Sequence, residues 1–240
     1  MRKILLPAVC AVFLFCSCNF MGGKVVNGNG HITSQNRNVS NFSELSVVGD
    51  VDVYYTAGPN FSARVEADDN LMEYIETEMD GNTLRIGTKD NYNLRSSKPL
   101  KVYVTAPTIN DLEVTGSGNF VAQSKLTADR DMKIEVTGSG EVTATIDAPK
   151  VRAEISGSGD VKLSGNTRQL DAEINGSGNI RCFDLLSEET RVEISGSGDA
   201  EVFASKRLNL EINGSGGIAY KGTPSISQSV NGSGSVRKAD

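Results

Sequence analysis

Six glutamates recur at one position of a repeated sequence unit, and this spacing is the feature that most directly suggests chemistry. Each lies three residues before a Gly-Ser-Gly triplet, at Glu113, Glu135, Glu154, Glu173, Glu193 and Glu211. If the units stack like β-strands, neighbouring carboxylates lie about 4.8 Å apart and repel by about 0.9 kcal/mol in water. The column therefore needs neighbouring bases or a cationic ligand. Lys133, Arg152 and Arg191, two residues earlier in their units, supply bases on the same face.

Two interpretations of this glutamate column stay open. One is a solvated sheet face, partly neutralised by its bases, that also discourages aggregation. The other is a docking face for cations or for a basic partner. We treat the six glutamates as the candidate binding face.

A second set of charged residues follows the triplets. Asp160 and Asp199 come directly after Gly-Ser-Gly, and Lys162 and Arg181 lie two residues beyond that position in their units. Polysaccharide lyases on β-helices use such bases beside acidic calcium ligands, so these four residues define an enzymatic alternative. Turn formation by Asp and pairing across strands explain them without catalysis. We predict a protein that is not an enzyme, with no catalytic residues, cofactor or metal.

The amino terminus carries a targeting signal. Two basic residues, Arg2 and Lys3, precede a short apolar run that ends in Cys16-Ser17-Cys18. This order is typical of a lipoprotein signal peptide, which we place at residues 1–17, with lipid attached to Cys18. Cys16 is the second candidate for lipidation, and ordinary secretion with cleavage nearby is the alternative. Cys182 would then be the single free thiol of the mature chain, with no disulfide possible.

The repeated unit must position these residues. Its seven Gly-Ser-Gly triplets begin 18 to 22 residues apart, at Gly116, Gly138, Gly157, Gly176, Gly196, Gly214 and Gly232. Apolar residues alternate with polar ones on both sides of each triplet, which indicates two short strands with one buried face. No unit has room for a crossover helix. We predict an all-β fold, a single-stranded parallel β-helix (β-solenoid), right-handed, with coils of about 18–20 residues.

The chain divides into three parts. Residues 18–38, rich in Asn, Gly and Ser, are predicted to form a flexible tether, and residues 39–240 the β-helix domain. Within it, residues 39–106 form irregular coils with a hairpin at Asp80-Gly81, and residues 107–240 form the regular repeats. Gln228 and Lys238 fall at inward positions of the last coil, where they either cap the end or mark a docking surface.

Composition excludes some partners. The chain has 30 acidic and 24 basic side chains, a net charge of −6, and no basic run. Nucleic acid is therefore not an expected partner, and an anionic membrane surface is not expected to attract the folded domain. We expect the membrane to be reached through the lipid, and a glycan or a protein to be the ligand. The oligomeric state stays open.

The repeated units resemble a known bacterial family. Units such as Glu173–Gly178 and Glu211–Gly216, the entry segment Phe42–Tyr55, and the stretch from Tyr74 to Thr88 are similar to the "putative auto-transporter adhesin, head GIN domain" family. The similarity covers residues 40–236. It implies a β-solenoid and an adhesive role, and it brings no catalytic or binding residues with it.

Together these features predict a non-enzymatic lipoprotein of the cell envelope with a β-helical binding or structural domain. We expect it to be anchored to the outer membrane of a Gram-negative bacterium, facing either the periplasm or the cell surface. A periplasmic scaffold or sensor that binds another protein is one alternative. A lyase-like enzyme on the same β-helix is the other.

Overall fold

A computed structural model describes residues 23–240, so the predicted signal peptide, Cys16 and Cys18 lie outside the described residues. The described chain consists mainly of β-strands. They are β1 Lys24–Asn27, β2 Ile32–Arg37, β3 Glu44–Gly49, β4 Asp52–Ala57, β5 Ser62–Asp68, β6 Ile75–Asp80, β7 Thr83–Thr88, β8 Tyr92–Arg95, β9 Lys101–Ala106, β10 Asp111–Gly116, β11 Asn119–Ala122, β12 Leu126–Thr127, β13 Met132–Gly138, β14 Glu141–Gly157, β15 Asp160–Gly176, β16 Asn179–Leu186, β17 Glu189–Gly196, β18 Asp199–Phe203, β19 Arg207–Gly214, β20 Gly217–Lys221, β21 Ser225–Gly232 and β22 Ser235–Lys238. One 3-10 helix, Asp69–Tyr74, lies between β5 and β6.

The strands stack in parallel as a β-solenoid of about seven turns, which confirms the predicted fold class. Each turn contributes one segment before its glycine corner and one after it. We call the stacked segments before the corners the first face, and those after the corners the second face. The first face runs from β7 through β3, β10 and β13 to β21, and the second from β9 through β4 and β11 to β22.

Alternation of apolar and polar residues builds the core, as the sequence predicts. On the first face Ile134 aligns with Ala153, and Val136 with Ile155, and all four are buried. Stacking places each inward side chain over its equivalent in the next turn, so the core is a set of apolar columns. The residues that alternate with these inward side chains point to solvent, and the charged residues are among them.

Glycine at the corners is required by the close approach of successive turns. Gly138 has φ of 114°, and a Cβ there would lie 2.6 Å from the carbonyl oxygen of Gly116. Gly140 is not among the positive-φ glycines, but its Cβ would lie 2.5 Å from the Gly118 carbonyl oxygen and 2.8 Å from the Val114 side chain. The Ser139 N–H donates to the same Gly116 carbonyl at 2.8 Å, which fixes the spacing between turns. Both glycines of this triplet therefore leave no room for a Cβ against the preceding turn, and the first also has a positive φ.

The amino-terminal end of the solenoid is closed. The antiparallel strands β2 and β5 extend the second face, and β6 pairs antiparallel with β7 on the first. The 3-10 helix crosses between the two faces, and its Leu71 and Met72 are buried. The predicted Asp80-Gly81 hairpin is confirmed by the β6–β7 pair.

The flexible tether predicted for residues 18–38 is wrong from Lys24 onward. Strand β1 pairs in parallel with β8, and β2 pairs antiparallel with β5. The Asn- and Gly-rich composition looks like a linker, but the backbone of this segment finds partner strands far away in the sequence. Such pairing cannot be predicted from local composition, because its hydrogen bonds are made by the backbone.

A buried carboxylate fastens this end. Asp68 is fully buried and accepts hydrogen bonds from the Gly30 N–H at 2.6 Å, the Ser97 N–H at 2.9 Å and the Ser97 hydroxyl at 2.7 Å. Burial pushes the pKa of Asp68 upward, but these hydrogen bonds outweigh it and leave the pKa lowered. Asp68 thus holds the β1–β2 and β8–β9 connections together.

The carboxyl-terminal end is open. Strands β21 and β22 each pair with one neighbour, β19 and β20. The predicted register is confirmed, since Gln228 aligns with Leu210 and Lys238 with Tyr220. Gln228, however, is exposed along with the rest of β21, because no further turn within residues 23–240 covers it.

Two further points concern residues 23–240. Cys182 is buried, and burial raises the pKa of its thiol to about 12. In this part of the chain no helix has the length and apolar character needed to cross a bilayer.

Candidate functional site

The structure brings all six predicted glutamates into one column on the first face. Successive members are direct neighbours across adjacent strands: Glu113 with Glu135, Glu135 with Glu154, Glu154 with Glu173, Glu173 with Glu193, and Glu193 with Glu211. Ser46 precedes the column, and Ser229 follows it. The carboxylates therefore form an unbroken acidic line across six turns.

The predicted bases neutralise the middle of this column. The Lys133 ammonium lies 2.6 Å from the Glu135 carboxylate, and the Arg191 guanidinium 3.0 Å from that of Glu193. Arg152 pairs with Glu154 and also reaches Glu173 at 3.6 Å. The hydrogen bond to Glu135 raises the pKa of Lys133, so this base stays charged throughout the physiological range.

The two ends of the column have no ion pair among the described residues. Glu113 accepts hydrogen bonds from the Ser46 and Thr115 hydroxyls, both at 3.1 Å. Glu211 accepts one from the Asn213 side-chain amide at 3.1 Å. Neutral donors leave the negative charge of these carboxylates uncancelled. The ends therefore carry more of the net acidity of this face than its centre does.

A shallow depression lies in the middle of the first face. It has a volume of about 200 Å³ and is lined by Arg152, Asp171, Ala172, Glu173, Arg191 and Glu193. The two arginines keep 52% and 61% of their side-chain surface exposed, and Asp171 is held by Lys150 at 2.6 Å. Acids and bases alternate around the depression, so it offers hydrogen-bonding groups of both charges to a polar ligand.

The enzymatic alternative centred on the second face gains little from the geometry. Lys162 and Arg181 are neighbours across β15 and β16. Asp160 accepts hydrogen bonds from the Asn179 amide at 2.8 Å and from Arg181 at 3.3 Å. Asp199 accepts one from the Gly217 N–H at 2.8 Å, and it is two turns away from Asp160. These carboxylates stabilise the corners of the coils.

No metal site is evident in this arrangement. Within residues 23–240 no three His, Cys, Asp or Glu side chains come together in a group that could hold an ion. Asn179 separates Asp160 from Asp199 along this column. Each of the two carboxylates accepts hydrogen bonds from the following turn of the solenoid.

An aromatic surface at the start of the second face was missed by the sequence analysis. Tyr54 and Tyr103 stack with ring centroids 5.4 Å apart, and the Arg64 guanidinium lies 4.2 Å above Tyr103. The Lys101 ammonium lies 6.0 Å from the Tyr54 ring. Antiparallel pairing of β5 with β9 brings Arg64 onto this surface. The strand pattern could have placed both tyrosines outward, but not next to each other.

The fold and these faces define a class of protein: a β-solenoid with long outward columns of side chains, charged on one face and partly aromatic on the other. Residues 41–224 match the family described as "Putative auto-transporter adhesin, head GIN domain". The chain belongs to this family, which confirms the resemblance found in the repeats.

Solved structures agree with this assignment. A Parabacteroides distasonis protein described as a putative lipid binding protein is 30% identical, with a TM-score of 0.76, and the match covers 90% of this chain and 100% of the other. A Bacteroides fragilis protein described as a putative adhesin is 27% identical, with a TM-score of 0.84, over 89% and 100%. A second P. distasonis protein, also described as a putative adhesin, is 27% identical, with a TM-score of 0.74, over 90% and 100%. No curated protein matches the chain.

Proposed function

We propose that this chain is a non-enzymatic binding protein of the cell envelope, held by a lipid on Cys18, that docks a basic partner on its first face. The observation that carries the proposal is the unbroken column of six glutamates. The inward residues vary from turn to turn, as Ile134 and Ala153 show, but the outward acid does not.

Electrostatics supports this choice of partner. Three bases serve six glutamates, and the terminal carboxylates of Glu113 and Glu211 have hydroxyl or amide donors in place of cations. A line of like charges on a rigid support attracts a complementary ligand and speeds its association. An extended segment rich in Lys or Arg fits such a line better than a compact ligand.

The test is binding of a fluorescently labelled oligolysine peptide, followed by anisotropy. The column variant carries Glu173→Gln, Glu193→Gln and Glu211→Gln together. The matched control carries Asp129→Asn, Glu141→Gln and Glu201→Gln, which remove the same charge elsewhere. We expect the column variant to lose at least about tenfold in affinity, equivalent to about 1.4 kcal/mol, and the control to lose less than about twofold. Equal losses in both variants would mean that only net charge matters and would overturn the proposal.

The lipid anchor and the exposed side need a separate experiment. We propose the outer membrane as the site of anchoring, in keeping with relatives that are described as putative adhesins. Protease treatment of intact cells, compared with permeabilised cells, distinguishes the two sides of that membrane. Digestion in intact cells, with release of the Cys18→Ala variant into the medium, is the expected result. Digestion only after permeabilisation would favour a periplasmic scaffold instead.

The relative described as a putative lipid binding protein suggests a control for the peptide experiment. Vesicles of phosphatidylcholine alone, and vesicles with an added anionic lipid, are mixed with the chain carrying Cys18→Ala. With its net charge of −6, the chain should not be drawn to the anionic vesicles. Tight binding to either vesicle would shift the proposal from a basic partner to a lipid ligand.

A further inference from the structure

The last turn of the solenoid exposes the end of the apolar core. Ile226 and Val230 align with the buried Leu208 and Ile212, yet they are 43% and 39% exposed. Both belong to β21, which pairs only with β19 within residues 23–240. The free edge of β21 therefore offers unpaired backbone groups together with an uncovered strip of core.

The composition of this edge is unusual for a free strand. Proteins normally protect such edges with charged side chains, proline or a bulge. Strand β21 reads Ser-Ile-Ser-Gln-Ser-Val-Asn-Gly and contains no charged residue and no proline. The glutamate column ends one turn earlier, where Glu211 is followed by Ser229. Strand β21 therefore carries no charge that would prevent pairing with another strand, and the charged residues of the last turn, Arg237 and Lys238, lie on β22.

The same strand is complementary to itself. Around Gln228 the sequence is nearly symmetric: Ser227 and Ser229 flank it, and Ile226 and Val230 lie one position further out. In an antiparallel pair centred on Gln228, each Ile226 faces the partner's Val230, and each serine faces a serine. All inward side chains stay on the inner side of the joined sheet, because opposite residues of an antiparallel pair share one face.

We propose that the carboxyl-terminal edge is a homodimer interface, in which β21 pairs antiparallel with β21 of a second copy about a two-fold axis through Gln228. The joint continues the first face from one solenoid into the next and covers Ile226 and Val230. The amino-terminal ends then lie at opposite ends of the assembly.

A head-to-tail arrangement is disfavoured by the closed end. The core there is covered by the 3-10 helix with buried Leu71 and Met72, so it offers no matching strip of core to Ile226 and Val230. The free strand at that end of the first face, β6, carries Glu76, Glu78 and Asp80. A two-fold joint is also closed, whereas a head-to-tail joint would propagate into fibres.

Cysteine cross-linking of the full-length chain in detergent tests the register. In the proposed pair the two Gln228 side chains are directly opposite, about 4.5–5.5 Å apart at Cβ, close to the reach of a disulfide. Two Ser227 side chains are two positions out of register and about 7–8 Å apart. Under a mild copper oxidant, Gln228→Cys should form disulfide-linked dimers at least about tenfold more efficiently than Ser227→Cys. The unmodified chain controls for the native cysteines.

The size of the complex gives an independent readout. Light scattering should show a dimer for the full-length chain, and Val230→Lys should give a monomer with an unchanged circular dichroism spectrum. A monomer for the unmodified chain at every concentration, a ladder of higher oligomers, or stronger cross-linking at Ser227→Cys than at Gln228→Cys would overturn the proposal. So would cross-linking of Gln228→Cys to a different protein in whole cells in place of a second copy.

Discussion

The two ends of the solenoid differ in how their apolar core is covered. At the amino-terminal end, antiparallel strands and a 3-10 helix cover the core, and Asp68 ties two connections together. At the carboxyl-terminal end no further strand within residues 23–240 pairs with β21, and Ile226 and Val230 are exposed. In a stack of parallel turns every internal turn is covered by its neighbours, so only the ends need special sequence. At the open end, strand β21 has no charged residue or proline, so its sequence permits pairing with a partner strand.

The largest expected effect comes from truncating a buried side chain of the 3-10 helix at the closed end. Leu71 is fully buried, so Leu71→Ala should lower the free energy of unfolding by about 2–5 kcal/mol through lost burial and a cavity. The matched change at the open end, Ile226→Ala, should cost less than about 1 kcal/mol in the monomer, because 43% of that side chain is already exposed. Urea unfolding at low protein concentration measures both. Equal losses of unfolding free energy in the two variants would show that the core is not covered better at the closed end than at the open end.

A substitution at a glycine corner tests how closely successive turns stack between the two ends. Gly138→Ala combines a positive φ with a Cβ only 2.6 Å from the Gly116 carbonyl oxygen, so we expect a loss of about 2–4 kcal/mol. Gly81→Ala is the control, since its φ is also positive, at 59°, but open space surrounds it. It should cost about 1 kcal/mol. If thermal unfolding shows equal costs, close stacking of the turns is not what the corner glycine provides.

The buried carboxylate predicts a difference in acid sensitivity. The pKa of Asp68 is lowered in the folded state, so its contribution is complete above the unfolded-state value of about 3.9 and is lost as pH falls through the folded pKa. Asp68→Asn should lower stability at neutral pH by about 1–3 kcal/mol and should weaken the loss of stability in acid. Asp129→Asn, at an exposed site, is the control. The measurement is the denaturation midpoint of each variant and of the unmodified chain between neutral pH and pH 3. If both variants show the same midpoints as the unmodified chain at every pH, Asp68 does not have this role.

The smallest effect concerns thiol reactivity, with no change in stability. Burial raises the pKa of Cys182 to about 12, so its thiolate fraction near pH 8 is about 10³-fold below that of an ordinary thiol. A cysteine introduced on the outward side of β21 by Ser229→Cys should react promptly in the presence of a phosphine reductant, because this position aligns with the solvent-facing Glu211. Peptide mapping after alkylation distinguishes the two sites. Rapid labelling of Cys182 in the folded chain would show that the middle of the solenoid opens readily.

The regular part of the chain was predictable because its rules are local and repeated. Alternating residues such as Ala153 and Ile155 fix which face is buried, and the triplet at Gly157 fixes where the chain turns. Repetition then sets the register, which is why the glutamate column could be placed before its partners were known. The hairpin at Asp80-Gly81 was predictable for the same local reason.

Polar residues at inward positions of the repeat could be explained only from the tertiary structure. Thr190 occupies an inward position that is apolar in the adjacent turns, where it aligns with Leu170 and Leu208. It is nevertheless buried, because its hydroxyl donates to the Phe203 carbonyl at 2.9 Å and contacts the Ser187 hydroxyl at 2.6 Å. That carbonyl belongs to the following strand, β18. The alternation of polar and apolar residues contains no sign of it.

By itself, the sequence determined the solenoid, its corners, its core columns and the acidic line, since each depends on the residue types within one unit and on their repetition. Only the tertiary structure decided how the molecule ends. The pairing of β1 with β8 and of β2 with β5, the burial of Asp68 and the Tyr54–Tyr103 stack all join segments distant in sequence. Backbone hydrogen bonds between distant strands depend little on side-chain identity, so composition alone does not reveal them.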